Sequence, residues 1–477
     1  MTRPRPASDR LWAGMQCPNL PLAAVWNLVA GDRPRAVHDS VRGRAVIVQA
    51  EPRALSAGVR PGQPLAAALA ILPELHSRTR NPGAERQALE RMALVAYGHS
   101  DRVALAPPDT VLLEIAGSQR LRRGLGPLLE TLKAQLAARG FAVRLGSAPV
   151  PAAARLLARL GRHVRDRAGL ERLLGQLPLE ALELDAGQLG ALRSCGLKTA
   201  GGLFGLPAAE RARRVGPALN RHLEEIRGDR ITPLAGWRPA EEFRLKLELP
   251  VATASTGALT FALNRGLEDL GCWLAIRDRA LTRLRIRLTR EDSGPPTDVA
   301  IGLARPGFDR GRLLELIRLK LEPMRLPASV TAFELLAETT DQHRPPQADL
   351  YNGANRNDAW PALLDRLGAR LGEDAVRGLA SRPDHRPEKA WCWVRPGMHT
   401  PCTDSRPRPT WLLPEPRPCR IEDLELADGP ERIESGWWDG EDCRRDYWTA
   451  RDRHGRKIWV FREYKPRQGW FIHGMFE

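Results

Sequence analysis

The chain has 477 residues, 43% hydrophobic and 27% charged, which is enough apolar side chain for packed cores and enough length for three or four domains of about 100–150 residues. No apolar run reaches the roughly 18 residues that span a bilayer. The seven cysteines (Cys17, Cys195, Cys272, Cys392, Cys402, Cys419 and Cys443) are odd in number, scattered and without a C-x-x-C pair, so neither a disulfide framework nor a zinc site is expected. A net charge of +16 favours a polyanionic partner, DNA or RNA.

The start, Met1-Thr2-Arg3-Pro4, lacks an apolar signal segment, so a cytoplasmic protein without membrane contact is expected. Along residues 1–180, Leu11–Cys17 and Arg44–Val48 read as strands, and Ala84–Gly98 has helical spacing at Leu89, Met92, Ala93 and Ala96. Val103–Leu105 and Val111–Ile115 flank the turn signal Pro107-Pro108-Asp109. A helix over Leu128–Arg139 ends at Gly140, and Phe141–Ser147 follows as a strand. Without an insert at about 20–80 the order is β-α-β-β-α-β, a split βαβ sheet. Residues 181–235 read as helical, broken by glycines and prolines. Residues 240–345 repeat the first order: alternating Phe243–Leu249, a helix Ser255–Ile276 capped by Ser255, strands at Leu284–Leu288 and Val299–Leu303, a helix Asp309–Leu321, and a strand Val330–Leu336.

Nine of the thirteen tryptophans lie at or beyond Trp360, where the composition changes. Residues 353–420 read as a helical stretch and then a linker, because residues 382–418 hold nine prolines. Residues 421–477 read as a small Trp-rich β module with a hairpin turn at Arg453-His454-Gly455-Arg456. Its tryptophans either form its own core or present a protein interface.

Several segments resemble the Y-family DNA polymerases in order and spacing over the first three quarters of the chain. Leu22-Ala23-Ala24-Val25, Gly58–Pro64, Pro108–Ile115, Gly146–Val150 with Ala154-Arg155, and Gly196–Leu203 each resemble a segment of that family. The resemblance implies an α+β multidomain fold: palm and fingers over residues 1–180, a helical thumb over 181–235, and a little finger over 240–345. The family draws metal-binding carboxylates from its first strand and from an Asp-Glu pair, because Mg²⁺ takes hard oxygen ligands. Here those positions match Cys17, Asn19, Asp109 and Thr110. One surviving carboxylate does not hold two ions, so no metal, no cofactor and no catalysis are expected, and an ordinary turn acid is the plainer reading of Asp109. The phosphate-gripping Y-x-x-R pair falls on Pro52 and Leu55, near Arg53, while Arg155 keeps a cation as a vestige of nucleotide binding. The helix-hairpin-helix glycines are matched by Glu183 and Asp185, whose charge repels phosphate.

In the second β-α-β-β-α-β region, Arg283, Arg285 and Arg287 share one strand face, extended by Arg277, Arg279 and Arg290. Such a row binds DNA backbone without sequence preference, and a solvated strand face is the plainer alternative. Gln347-Ala348-Asp349-Leu350-Tyr351, after Pro345-Pro346, matches the bacterial sliding-clamp peptide, with Leu350 and Tyr351 as apolar anchors, Gln347 as an orienting amide and Asp349 at the variable acidic position; residues 346–352 are taken as that peptide.

The lost carboxylates together with Asp384–Glu388, Gly429–Gly440, Arg444–Tyr447, Trp459–Arg462 and Trp470–Gly474 resemble the ImuB family, catalytically degenerate polymerase-like mutagenesis proteins. That resemblance implies a non-catalytic scaffold of a damage-induced translesion complex, part of the SOS response and nucleoid-associated during damage. Its implied partners are DNA, the replicative sliding clamp (beta subunit), an error-prone DnaE-type polymerase and a RecA-like ImuA protein. The rival expectations are an active translesion polymerase in which Glu114 or Asp101 replaces a lost ligand, and a DNA-binding repair factor without clamp contact.

Overall fold

The computed structural model describes residues 10–26, 33–121, 123–343, 359–398 and 406–476. They form two compact units, within residues 1–354 and 355–477. No helix among the described residues is long and apolar enough to cross a membrane.

The first unit opens with β1 (Trp12–Gln16), followed by β2 (Arg35–Val41), β3 (Arg44–Ala50) and β4 (His76–Thr79), which make a small separate sheet of order β3-β2-β4. Arg42 and Gly43 both take positive φ, 51° and 77°, the conformation of a tight two-residue hairpin turn. β5 (Val103–Ala106), β6 (Thr110–Glu114) and β7 (Arg144–Ala148) then join β1 in an antiparallel sheet of order β5-β6-β1-β7. Both faces of this sheet are covered. Ala13, Met15, Val111 and Leu113 pack under the helices Pro82–Tyr97 and Leu125–Ala138, and Trp12, Leu112 and Ala148 pack under the helix Pro151–Leu160. Two-sided burial explains why these strands are apolar throughout rather than alternating.

Gly14 and Gly146 face each other in register. A Cβ on Gly14 would lie 2.5 Å from the Ala154 carbonyl oxygen, and one on Gly146 would lie 2.1 Å from the Ala158 nitrogen. Only glycine lets the helix Pro151–Leu160, which carries Arg155, come this close to the sheet.

A run of helices begins at Arg167 and continues to Arg227, packed on the Trp12 and Leu112 face. The second sheet comprises β8 (Arg244–Thr253), β9 (Arg279–Arg290), β10 (Thr297–Gly307) and β11 (Val330–Gln342). Its helices Thr256–Ile276 and Arg310–Leu321 are capped by Ser255 and Asp309. Elements follow one another as in the first sheet, but the strand order is β10-β9-β11-β8. In the first sheet the earlier hairpin strand, β5, lies at the edge; in the second, the later one, β10, does.

The second unit holds the helix Ala359–Leu371, a hairpin of β12 (Gly378–Ser381) and β13 (Trp391–Val394), and five strands: β14 (Trp411–Cys419), β15 (Leu424–Ser435), β16 (Cys443–Asp452), β17 (Lys457–Lys465) and β18 (Gly469–Met475). The sheet order is β14-β18-β17-β16-β15. The expected Pro-rich linker is therefore corrected. Pro414, Pro416 and Pro418 lie in β14, and Pro430 lies in β15, the two edge strands. Proline has no N–H for a ladder, so an edge strand tolerates it, and there it blocks pairing with further strands. The tryptophans divide by burial. Trp459 is buried and Trp448 packs on Trp470, whereas Trp437 and Trp438 are exposed.

Candidate functional site

The positions matched to a polymerase centre meet where β1 ends and β6 begins. Gln16 pairs with Thr110 in register, and the Cys17 N–H donates to the Asp109 carbonyl at 2.9 Å. Asp109 is not a free turn acid. Its Oδ2 accepts from Gln16 Nε2 at 2.7 Å and its Oδ1 from Thr110 Oγ1 at 2.8 Å. Thr110 and Cys17 are fully buried. Burial pushes the Cys17 thiol up to about 12, with the nearby Asp109 charge adding to the effect and a backbone hydrogen bond at Asn19 opposing it. Asn19 is exposed, and its carbonyl accepts from Ala23 N at the start of the helix Leu20–Trp26. Arg155 Nη2 donates to the Pro107 carbonyl at 3.1 Å, so it points to the same loop.

These donors do not fit a pair of divalent ions. They offer one carboxylate already bonded at both oxygens, a protonated thiol and a buried hydroxyl, where hard anionic oxygens are needed. Neither expected substitute lies nearby. Glu114 pairs with Trp12 at the opposite end of β6, about 13 Å along the strand from Thr110, and its Oε1 accepts from Ala116 N at 3.0 Å. Asp101 lies at that same far end, next to Arg102, whose carbonyl accepts from Glu114 N. Gln16, which occupies one oxygen of Asp109 by hydrogen bonding, was not singled out in the sequence; its only signal is its place beside Cys17 on an otherwise apolar strand. Arg53 lies exposed on the helix Pro52–Ser56.

The helix-hairpin-helix positions serve the protein's own structure. Glu183 takes φ 58° and pairs with Arg159, and Asp185 accepts from Gln188 N at 2.7 Å as the cap of the helix Ala186–Ser194. The helix-start N–H group that a phosphate would meet is already bonded.

On the second sheet, Leu284, Ile286 and Leu288 are buried, and Arg283, Arg285 and Arg287 point to the opposite face. That face is mixed in charge. Across the ladders, Asp298, Arg287, Glu334 and Lys246 stand side by side. Arg283 and Arg285 both pair with Glu338, and Arg287 holds Asp298 at 3.0 Å. The Arg287 hydrogen bond keeps the Asp298 carboxyl below its usual range. Arg279 is exposed at the start of β9. Two of the expected flanking cations are corrected. Arg277 donates to the Pro239 and Ala240 carbonyls at 2.8 and 2.7 Å and lies over the Trp273 ring. Arg290 has the parity of Leu288, hence the other face, and pairs with Asp292.

The tail segments that are far apart in sequence converge in the second unit. Arg386, only 2% exposed, holds Asp384 at 2.9 Å and Asp439 at 2.7 Å. Arg445 pairs with Glu388 and Glu463, each at 2.8 Å, and the Tyr447 hydroxyl meets His473 Nδ1 at 2.9 Å. Burial pulls His473 down to about 4, although Glu388 at 4.0 Å opposes the shift. These motifs act as fasteners that fix residues 384–388 to the sheet. The peptide Gln347-Ala348-Asp349-Leu350-Tyr351 and Cys402 lie outside the described residues.

Residues 27–159 match the impB/mucB/samB family. Over 459 residues the chain is 30% identical to Protein ImuB from two strains of Caulobacter vibrioides, covering 88% of this chain and all of each relative. Among solved structures, DinB from Sulfolobus solfataricus is similar at 15% identity and a TM-score of 0.40, over 68% of this chain and 98% of that one. An insertion ternary complex of Dbh DNA polymerase gives 16% identity and the same TM-score and coverage.

Proposed function

The chain belongs to the ImuB family of polymerase-like mutagenesis proteins, and from that membership we propose that it is a non-catalytic scaffold of a damage-induced translesion-synthesis complex. The observation that carries the reading is the Asp109 centre: both carboxylate oxygens accept from neutral donors, and the neighbouring ligand positions are a buried thiol and a buried hydroxyl. Phosphoryl transfer relies on electrostatic stabilisation by metals and cations placed around the phosphates, and this constellation supplies little of it.

In this reading the polymerase-like body holds DNA through the exposed β9 face, and Gln347–Tyr351 docks on the sliding clamp. The second unit recruits an error-prone DnaE-type polymerase and a RecA-like ImuA partner, in the cytoplasm at damaged nucleoid DNA. Primer extension by highly purified protein with Mg²⁺ or Mn²⁺ tests the central claim. No template-directed extension is expected. Extension that Asp109→Ala abolishes would restore the active-polymerase reading. Binding to the clamp should fall roughly 100-fold or more in Leu350→Ala/Tyr351→Ala, since two buried apolar anchors supply about 1.5–3 kcal/mol each. Unchanged clamp binding would leave only a DNA-binding repair factor.

A further inference from the structure

We propose that the β12–β13 hairpin of the second unit is a stacking platform for single-stranded nucleic acid. Its strands are paired Leu379↔Trp393 and Ser381↔Trp391. One face is packed: Ala380 is buried, and Cys392 and Val394 are partly so. The other is bare. Leu379, Trp391 and Trp393 are 63%, 46% and 56% exposed, with the two indole rings 5.4 Å apart. By alternation Arg377 and Arg395, the next residues along the two strands, fall on that same face, and both are exposed. Arg395 makes no ion pair among the described residues, unlike the β9 arginines.

The two rings meet edge to face, at 87°, and both arginines lie beyond Trp393 at one end of the hairpin, with Arg377 Nε also donating to the Asp374 carbonyl at 2.8 Å. Exposed indole faces beside cations match the chemistry of unpaired bases on a phosphate chain. A duplex keeps its bases stacked within itself and offers the rings nothing. The second unit contains its own contrast. Trp437 and Trp438 are 79% and 58% exposed, but the guanidinium that lies over Trp438, that of Arg386, is already held by Asp384 and Asp439 and is not available to a phosphate. Charge complementarity therefore selects the Trp391/Trp393 face. The inference does not depend on DNA binding by the first unit.

The test uses the full chain at elevated salt, where backbone contacts weaken, and measures anisotropy of a labelled oligothymidine and of an abasic oligonucleotide of equal length. Stacking of two bases predicts a preference for oligothymidine of at least about 30-fold. Trp391→Ala/Trp393→Ala should abolish that preference, Trp391→Phe/Trp393→Phe should keep most of it, and Arg395→Glu should weaken both oligonucleotides. Because these side chains are exposed, the variants should elute and melt as the parent does. A parent without base preference, or an alanine variant that retains it, overturns the proposal. So does loss of the preference in Trp437→Ala/Trp438→Ala alone. Self-association that disappears in the Trp391→Ala/Trp393→Ala variant, with oligonucleotide binding unchanged, would make the face a protein interface instead.

Discussion

Replacing Asp269 by asparagine should be among the most damaging single changes in the first unit, though it lies far along the chain from every polymerase motif. Its side chain is 1% exposed, and it accepts from Arg91 Nε at 2.5 Å and from Arg139 Nε at 3.0 Å. Arg91 is itself buried and lies over the Phe141 ring at 5.2 Å. The cluster joins the helix Pro82–Tyr97, the end of the helix Leu125–Ala138 and the second sheet's helix Thr256–Ile276. Asparagine keeps the shape and removes the charge, so two cations lose their counter-charge in a dry site. Breaking such a pair costs about 3–5 kcal/mol, whereas an exposed pair is worth at most about 1 kcal/mol. Glu90→Gln, which breaks the exposed Arg86–Glu90 pair, is the control. Equilibrium urea unfolding, followed by far-UV circular dichroism, measures both variants. A loss for Asp269→Asn no larger than for Glu90→Gln would refute the reasoning. Replacing Asp269, Arg91 and Arg139 together by leucine or methionine should recover much of the stability, because desolvation offsets most of the attraction in a buried ionic cluster.

Stability of the second unit should fall with acid. His473 titrates at about 4 folded against 6.5 unfolded, so the unfolded state binds the extra proton between these values. The contribution is complete above about pH 6.5 and is lost as pH falls toward 4, a change of roughly 3 kcal/mol. His473→Gln should flatten the urea midpoint against pH in that window, and an unchanged slope would contradict it. Iodoacetamide at pH 8 should alkylate exposed Cys195 well before buried Cys17, whose thiol is pushed up to about 12; peptide mass spectrometry giving early Cys17 labelling would refute the buried centre. On the second sheet, Arg283→Ala/Arg285→Ala/Arg287→Ala should flatten log K against log salt by roughly 2–3. Asp298→Asn/Glu338→Gln should tighten DNA binding and steepen the slope by roughly 1–2. Titrations indistinguishable from the parent for both variants would remove DNA from this face.

Much of what the protein is was legible along the chain because it is local. Strand alternation at Leu284–Leu288 and the helix cap at Ser255 are properties of neighbouring residues. What remained hidden depends on which segments meet. Two regions with the same succession of elements close into sheets of different strand order, because periodicity defines a strand but not its partner. Prolines that read as a linker become edge-strand residues once β14 has a neighbour on one side only. The arginine row of β9 looks like an open phosphate surface until β10 and β11 bring Asp298 and Glu338 against it. Asp269 carries no sequence signal and Gln16 little, since their importance lies in the residues they meet at separations of 178 and 93 positions. Residue identity and period are written in the sequence one window at a time. Charge pairing, burial and sheet order are set only when distant windows pack, and in this protein those contacts decide how each candidate site can act.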